Sequence, residues 1–90
     1  MDDRALITKI VQRDLDAFAT FYDAYYRSAY GLALQHGCDH AQAEQVVSNA
    51  FLTIWRHSER FDPDAFTPKG WLLGIVVFHC RHCRHRDWTG

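Results

Sequence analysis

The chain has 90 residues, 48% of them hydrophobic and 14% aromatic, with a formal net charge of −1. This is enough for one small folded domain and too apolar for a disordered tail. No apolar run approaches the roughly 20 residues of a membrane span, the opening MDDRALITK lacks the blocks of a signal peptide, and three cysteines, an odd count, argue against a disulfide framework. A reducing cytoplasm is the expected setting.

Glycine and proline are scarce and clustered, which marks helices joined by short connections. A first helix is expected over about Asp3 to Arg13, with Leu6, Ile7, Ile10 and Val11 on one face. Asp14 or Asp16 suits the N-cap of a second, longer helix. Its stripe is Leu15, Phe18, Tyr22, Tyr25, Ala29 and Leu32, in steps of three and four. Gly37 ends it in the C′ role.

Asp39 and Gln42 form a capping-box pair at the start of a third helix. Ala43, Val46, Val47, Ala50, Phe51 and Ile54 then give the clearest helical period in the chain. The opposite face carries Gln45, Ser48, Asn49, Leu52 and Arg56. FDPDAFTPKG is a loop, and Thr67 followed by Pro68 reads as N-cap and N1 of a fourth helix. That helix places Trp71, Leu72, Ile75, Val76 and His79 on one side. No segment alternates like a strand, so the expected fold is an all-α bundle of about four helices.

Charge is spread unevenly. Residues 1–68 hold six Lys/Arg against ten Asp/Glu, a balance of −4, whereas residues 69–90 hold four against one, or +3. Three of the six histidines lie at that basic end. Such an asymmetry points to a polyanion partner.

The basic end reads VVFHCRHCRHR. Cys80 and Cys83 are three apart, as are His79, His82 and His85, so pairs share a helix face. A structural zinc site needs four ligands. The others would come from His36, Cys38, His40 or His57, at distances the sequence does not fix. A thioredoxin-like C-x-x-C expects a preceding strand, and the segment before it is helical. We read the cysteines as small packing residues and assign no metal and no cofactor. Catalysis is equally unsupported. Asp14, Asp16, Asp62 and Asp64 sit where caps and turns want them, and there is no phosphate-binding glycine loop.

Three pieces in order carry a family resemblance: DLDAFATFYDAYYRSAYGLAL, CDHAQAEQVVSNAFLTIWRHSERFDP and PKGWLLGI. Together they resemble region 2 of bacterial RNA polymerase sigma factors, most closely the extracytoplasmic-function (ECF) group. The resemblance implies a sigma-70 region 2-like domain over 1–90, with region 4 outside this chain. It implies binding work without covalent chemistry. The third helix would dock on the clamp helices of the polymerase largest subunit through Gln45, Ser48, Asn49 and Leu52. The end of that helix, the loop and the fourth helix would open the promoter −10 element and hold its non-template strand. Its partners would be core polymerase, promoter DNA and an anti-sigma protein, and no membrane.

Opening DNA needs aromatic stacking and phosphate contacts. Trp55, Phe61, Phe66 and Trp71 are the aromatic candidates, although Trp55 and Trp71 also suit the anchors of a small core. Arg56, Arg60, Lys69, Arg81, Arg84 and Arg86 are the phosphate candidates. Two departures stand out. The family's D..QE face is Gln45, Ser48 and Asn49 here, without its charges. Phe78 stands where many members have an Asn that helps hold a −10 base, and Phe stacks but reads no base edge. These departures leave two alternatives open: a diverged sigma-like module acting through protein binding of the anti-sigma type, or a zinc- or redox-responsive helical domain.

Overall fold

The computed structural model describes residues 2–88, and side chains over 2–82. Among these, four helices run in order: α1 (Asp3–Val11), α2 (Leu15–Gln35), α3 (His40–His57) and α4 (Pro68–Trp88), with a 3-10 turn at Ser58–Arg60. No strand occurs among the described residues. The all-helical expectation holds.

Each helix starts on a side chain that satisfies backbone N–H groups otherwise left orphaned. The Asp2 carboxylate accepts from Ala5 N–H at 2.8 Å, and Asp14 accepts from Asp16 and Ala17 N–H at 3.0 and 3.2 Å. Asp39 accepts from Gln42 N–H at 2.8 Å while Gln42 Oε1 accepts from Asp39 N–H at 2.9 Å, closing the capping box. Thr67 Oγ1 accepts from Gly70 N–H at 3.0 Å ahead of α4.

The first two helices end alike. Gly37 N–H donates to Leu34 and Cys38 N–H to Ala33, the paired bonds of a Schellman motif. The left-handed backbone this requires falls on Gly37, at φ 92°. At the end of α1 the same pair of bonds runs from Arg13 to Ile10 and from Asp14 to Lys9. There the left-handed residue is Arg13, at φ 65°, so α1 stops at Val11, two residues short of its expected end. A side chain at positive φ costs about 1–2 kcal/mol. Arg13 offsets it with long-range contacts. Its guanidinium donates to the Trp55 carbonyl, one of the last acceptors of α3, and lies 5.1 Å from the centre of the Trp55 ring.

α2 packs against α1, α3 and α4, and α3 packs against α4. The core is Leu6, Ile7 and Ile10 of α1; Ala17, Phe21, Ala29 and Ala33 of α2; Cys38 just after it; the six predicted residues of α3; and Leu72, Val76 and Cys80 of α4. The α3 pattern is met at every position. The α2 stripe needs correction. Leu15, its first member, is 68% exposed, and the buried line is Ala17, Phe21, Ala29 and Ala33. A helix with three neighbours brings its backbone close to them, so small side chains take the centre. Phe18, Tyr22, Tyr25 and Leu32 pack half-buried on the flanks.

Tyr25 joins three helices. Its hydroxyl donates to the Asp3 carboxylate of α1, and Lys69 Nζ of α4 lies 5.9 Å over its ring. The hydrogen bond to Asp3, then burial, then the Asp3 charge push its phenol up to about 12.

Two outcomes are expected. Replacing Arg13 by Ala keeps the strained φ and loses the tether, lowering stability by about 1–3 kcal/mol. Arg13→Gly recovers about 1 kcal/mol of that loss because glycine accepts the left-handed backbone. Urea unfolding of both variants checks the order. Tyr25 also gives a pH signature. Its folded pKa lies above its unfolded value near 10, so its contribution is intact below pH ~10 and is lost as pH rises toward about 12. In thermal melts across pH 8–12, Tyr25→Phe should flatten the alkaline decline.

Candidate nucleic-acid interface

The loop between α3 and α4 is built on Asp62. Its carboxylate accepts from Asp64 N–H at 2.9 Å, and its carbonyl accepts from Ala65 and Phe66 N–H at 3.2 and 3.0 Å. This tight turn presents Phe66 to solvent, 51% exposed. Pro68 then starts α4, buried.

Along α4, Gly70, Gly74 and Phe78 recur every fourth residue. The two glycines leave bare backbone beside the rings of Phe66, Trp71 and Phe78. The result is a cleft of about 390 Å³ lined by Thr53, Phe66, Gly70, Trp71, Gly74, Ile75, Phe78 and His79. A methyl group added at Gly74 would meet nothing within 4 Å, so the space is open. Thr53 Oγ1 donates to the Asn49 carbonyl at 2.9 Å, which engages its proton. The walls are therefore largely apolar and suit a flat, stackable group.

Polar character enters at the outer end. Phe78 is 56% exposed, and its ring centre lies 4.2 Å from that of His82, tilted by 39°, and 5.5 Å from that of His79. His82 Nδ1 lies 2.9 Å from the Phe78 carbonyl. Burial, then the neighbouring His82, hold His79 below the usual imidazole range. Arg81 is exposed one turn on.

The residues singled out from sequence do not form one surface. Phe66, Trp71 and Phe78 meet at the cleft, with Arg81 beyond it. Phe61 packs on Trp71, ring centres 5.4 Å apart, and also lines a separate cleft of about 550 Å³ between α1 and the 3-10 turn. Trp55 is half-buried against Phe18, at 5.2 Å, and under Arg13. Lys69 reaches back over Tyr25. Arg56 and Arg60 are exposed. Arg84, with Cys83, His85 and Arg86, lies outside the described side chains. Cys80 is buried in the core, and among the described residues no three His, Cys, Asp or Glu gather as metal ligands. Sequence inspection passed over Thr53, Gly70 and Gly74. Two glycines four apart in the apolar first half of α4 are the signal that would have found the cleft.

On the outward side of α3, Gln45, Ser48 and Leu52 are exposed and Asn49 is half-buried. Gln45 Nε2 donates to Asn49 Oδ1 at 3.3 Å, so the two amides pair on a stretch of the face without acidic groups.

Residues 21–89 match the family model for sigma-70 region 2. Similar proteins include the ECF RNA polymerase sigma factor SigK of Mycobacterium sp. strain KMS, 34% identical over 79% of this chain and 37% of that protein. SigK of Mycolicibacterium vanbaalenii is 35% identical over 80% of this chain and 37% of its own length, and SigK of Mycobacterium tuberculosis strain H37Ra is 32% identical over 80% and 38%. The chain thus spans well under half the length of these relatives. No solved structure matches it at a significant level. No described helix is long and apolar enough to cross a membrane. This chain, whose residues 21–89 fit the model, belongs to the sigma-70 region 2 family of RNA polymerase sigma factors.

Proposed function

We propose that this chain works in the cytoplasm as the region 2 domain of an ECF-type sigma factor. It docks on the clamp helices of core RNA polymerase through the outward face of α3 and captures the non-template strand of the promoter −10 element along α4. The apolar cleft beside Gly74 is the observation that supports this most directly. Unstacking one base step costs a few kcal/mol, and stacking a base on aromatic rings returns roughly 1–3 kcal/mol. One cleft with its exposed rings comes close to balancing one displaced base. Phosphate contacts from Arg81 and Arg84, and the polymerase itself, supply the rest. No covalent step is involved. The cleft walls offer stacking and few hydrogen bonds, so they hold a base without reading its edge.

The uncharged trio Gln45, Ser48 and Asn49 on α3 favours a second reading, in which the fold has left the polymerase and binds another protein. Loss of charge-assisted contacts at an interface centre costs several kcal/mol. A pull-down with core polymerase separates the two readings. The natural chain is expected to be retained. Retention of only the variant Gln45→Asp, Ser48→Gln, Asn49→Glu would support the protein-binding module.

Strand capture has its own check. Gly74→Leu fills the cleft at a position where added atoms meet open space, and it removes a helix-interior glycine that costs about 1 kcal/mol. Its expected signature is equal or higher thermal stability, with at least about tenfold weaker binding of a labelled single-stranded −10-like oligonucleotide by the polymerase-bound chain. Arg81→Ala should weaken binding and reduce the salt slope by about one. Unchanged binding in Gly74→Leu would remove the cleft from the function.

A further inference from the structure

One face of α2 carries a row of rings that the surfaces above do not use. Tyr22, Tyr26 and Tyr30 recur every fourth residue, with centroids 5.2 and 5.9 Å apart and the second pair stacked at 24°. His40, the first residue of α3, extends the row: its ring lies 6.0 Å from Tyr30 at 26°, and its Nδ1 is 2.7 Å from the Tyr30 hydroxyl. Tyr22 leans on buried Phe51, centroids 4.6 Å apart. The three tyrosines are only half-buried, and His40 is exposed. Aromatic rings left half in water along three helical turns are more than the core requires, and tyrosine is enriched where proteins meet.

The surroundings of the row are acidic. Burial, then Tyr26, Asp23 and Glu44 raise the Tyr22 phenol; burial, then Glu44, Tyr26 and Asp39 raise that of Tyr30. Three carboxylates thus border the rings, against Arg27 on the same helix. A ring face attracts a cation, and carboxylates beside it select the same sign.

We propose that this ladder docks a helix of a protein partner that carries arginines at every fourth position. Spacing favours this occupant. Four residues of an α-helix rise about 6 Å, and the rings here stand 5.2, 5.9 and 6.0 Å apart. A guanidinium also stacks flat on a ring, which an ammonium does not. The fold already makes one such contact, Arg13 at 5.1 Å over Trp55. The site lies on α2 and the start of α3, so it stands whether or not the cleft beside Gly74 captures DNA.

The test titrates the whole chain with labelled alanine-rich helical peptides, read by fluorescence anisotropy. One peptide carries three arginines four apart, a second carries lysines there, and a third scatters the same arginines around the helix. The in-register arginine peptide is expected to bind about tenfold tighter than the scattered one, with lysine between them. Tyr26→Leu with Tyr30→Leu should erase that preference. The exposed change Glu44→Gln should weaken all three peptides, and amide shifts in the unaltered chain should map to α2 and the start of α3. Equal binding of the two arginine peptides would reduce the effect to general charge attraction and overturn the proposal. A self-associated dimer dissolved by the tyrosine changes would overturn it too, by placing a second copy on the ladder.

Discussion

Everything on the surface of this domain depends on how Phe51 is held. Its ring is fully buried in α3 and meets three rings of α2: Phe18 at 6.3 Å, Phe21 at 6.0 Å and Tyr22 at 4.6 Å. Large rings on one side of α3 and fully buried alanines at positions 43 and 50 let it sit close between α2 and α4. Once α3 is fixed in rotation, its polar face must point outward. The same rotation aims its C-terminal turn at Arg13 and sets Thr53 into the wall of the cleft.

The domain uses several of its aromatic and basic residues for itself. Trp55 and Arg13 form the joint between the α1–α2 turn and the end of α3, and Lys69 covers Tyr25. A residue type that suits nucleic acid suits such joints equally well, because cation–π and stacking contacts do not distinguish a base from an indole. What separates the two uses is exposure. Phe66 and Phe78 remain in solvent on either side of bare glycine backbone, where a small domain gains nothing by keeping them.

Family membership and chain-specific chemistry point to different parts of the molecule. Residues 21–89 match sigma-70 region 2, and the described residues form four helices. The α3 face has two amides that pair with each other, and Phe78 adds a ring at the outer end of the cleft.

The amino-acid sequence alone determined the four helices, most of their caps and the whole buried face of α3. Each of these is a local matter of period, side-chain capping or an N1 proline, and nearest neighbours decide it. It also carried the family, because the order of motifs needs no coordinates. Tertiary structure decided the rest. It kept Ala29 of the expected α2 stripe but moved the rest of the buried line from Leu15, Phe18, Tyr22, Tyr25 and Leu32 to Ala17, Phe21 and Ala33, because which side of α2 is covered depends on three neighbouring helices. It stopped α1 at a left-handed arginine whose cost is met by a contact 42 residues away. It sorted the candidate site, engaging Trp55 with Arg13 and Lys69 with Tyr25 and gathering Phe66, Trp71 and Phe78 around Gly74. A ring is worth most where it meets other rings, and which rings it meets depends on chain segments that lie far apart in sequence.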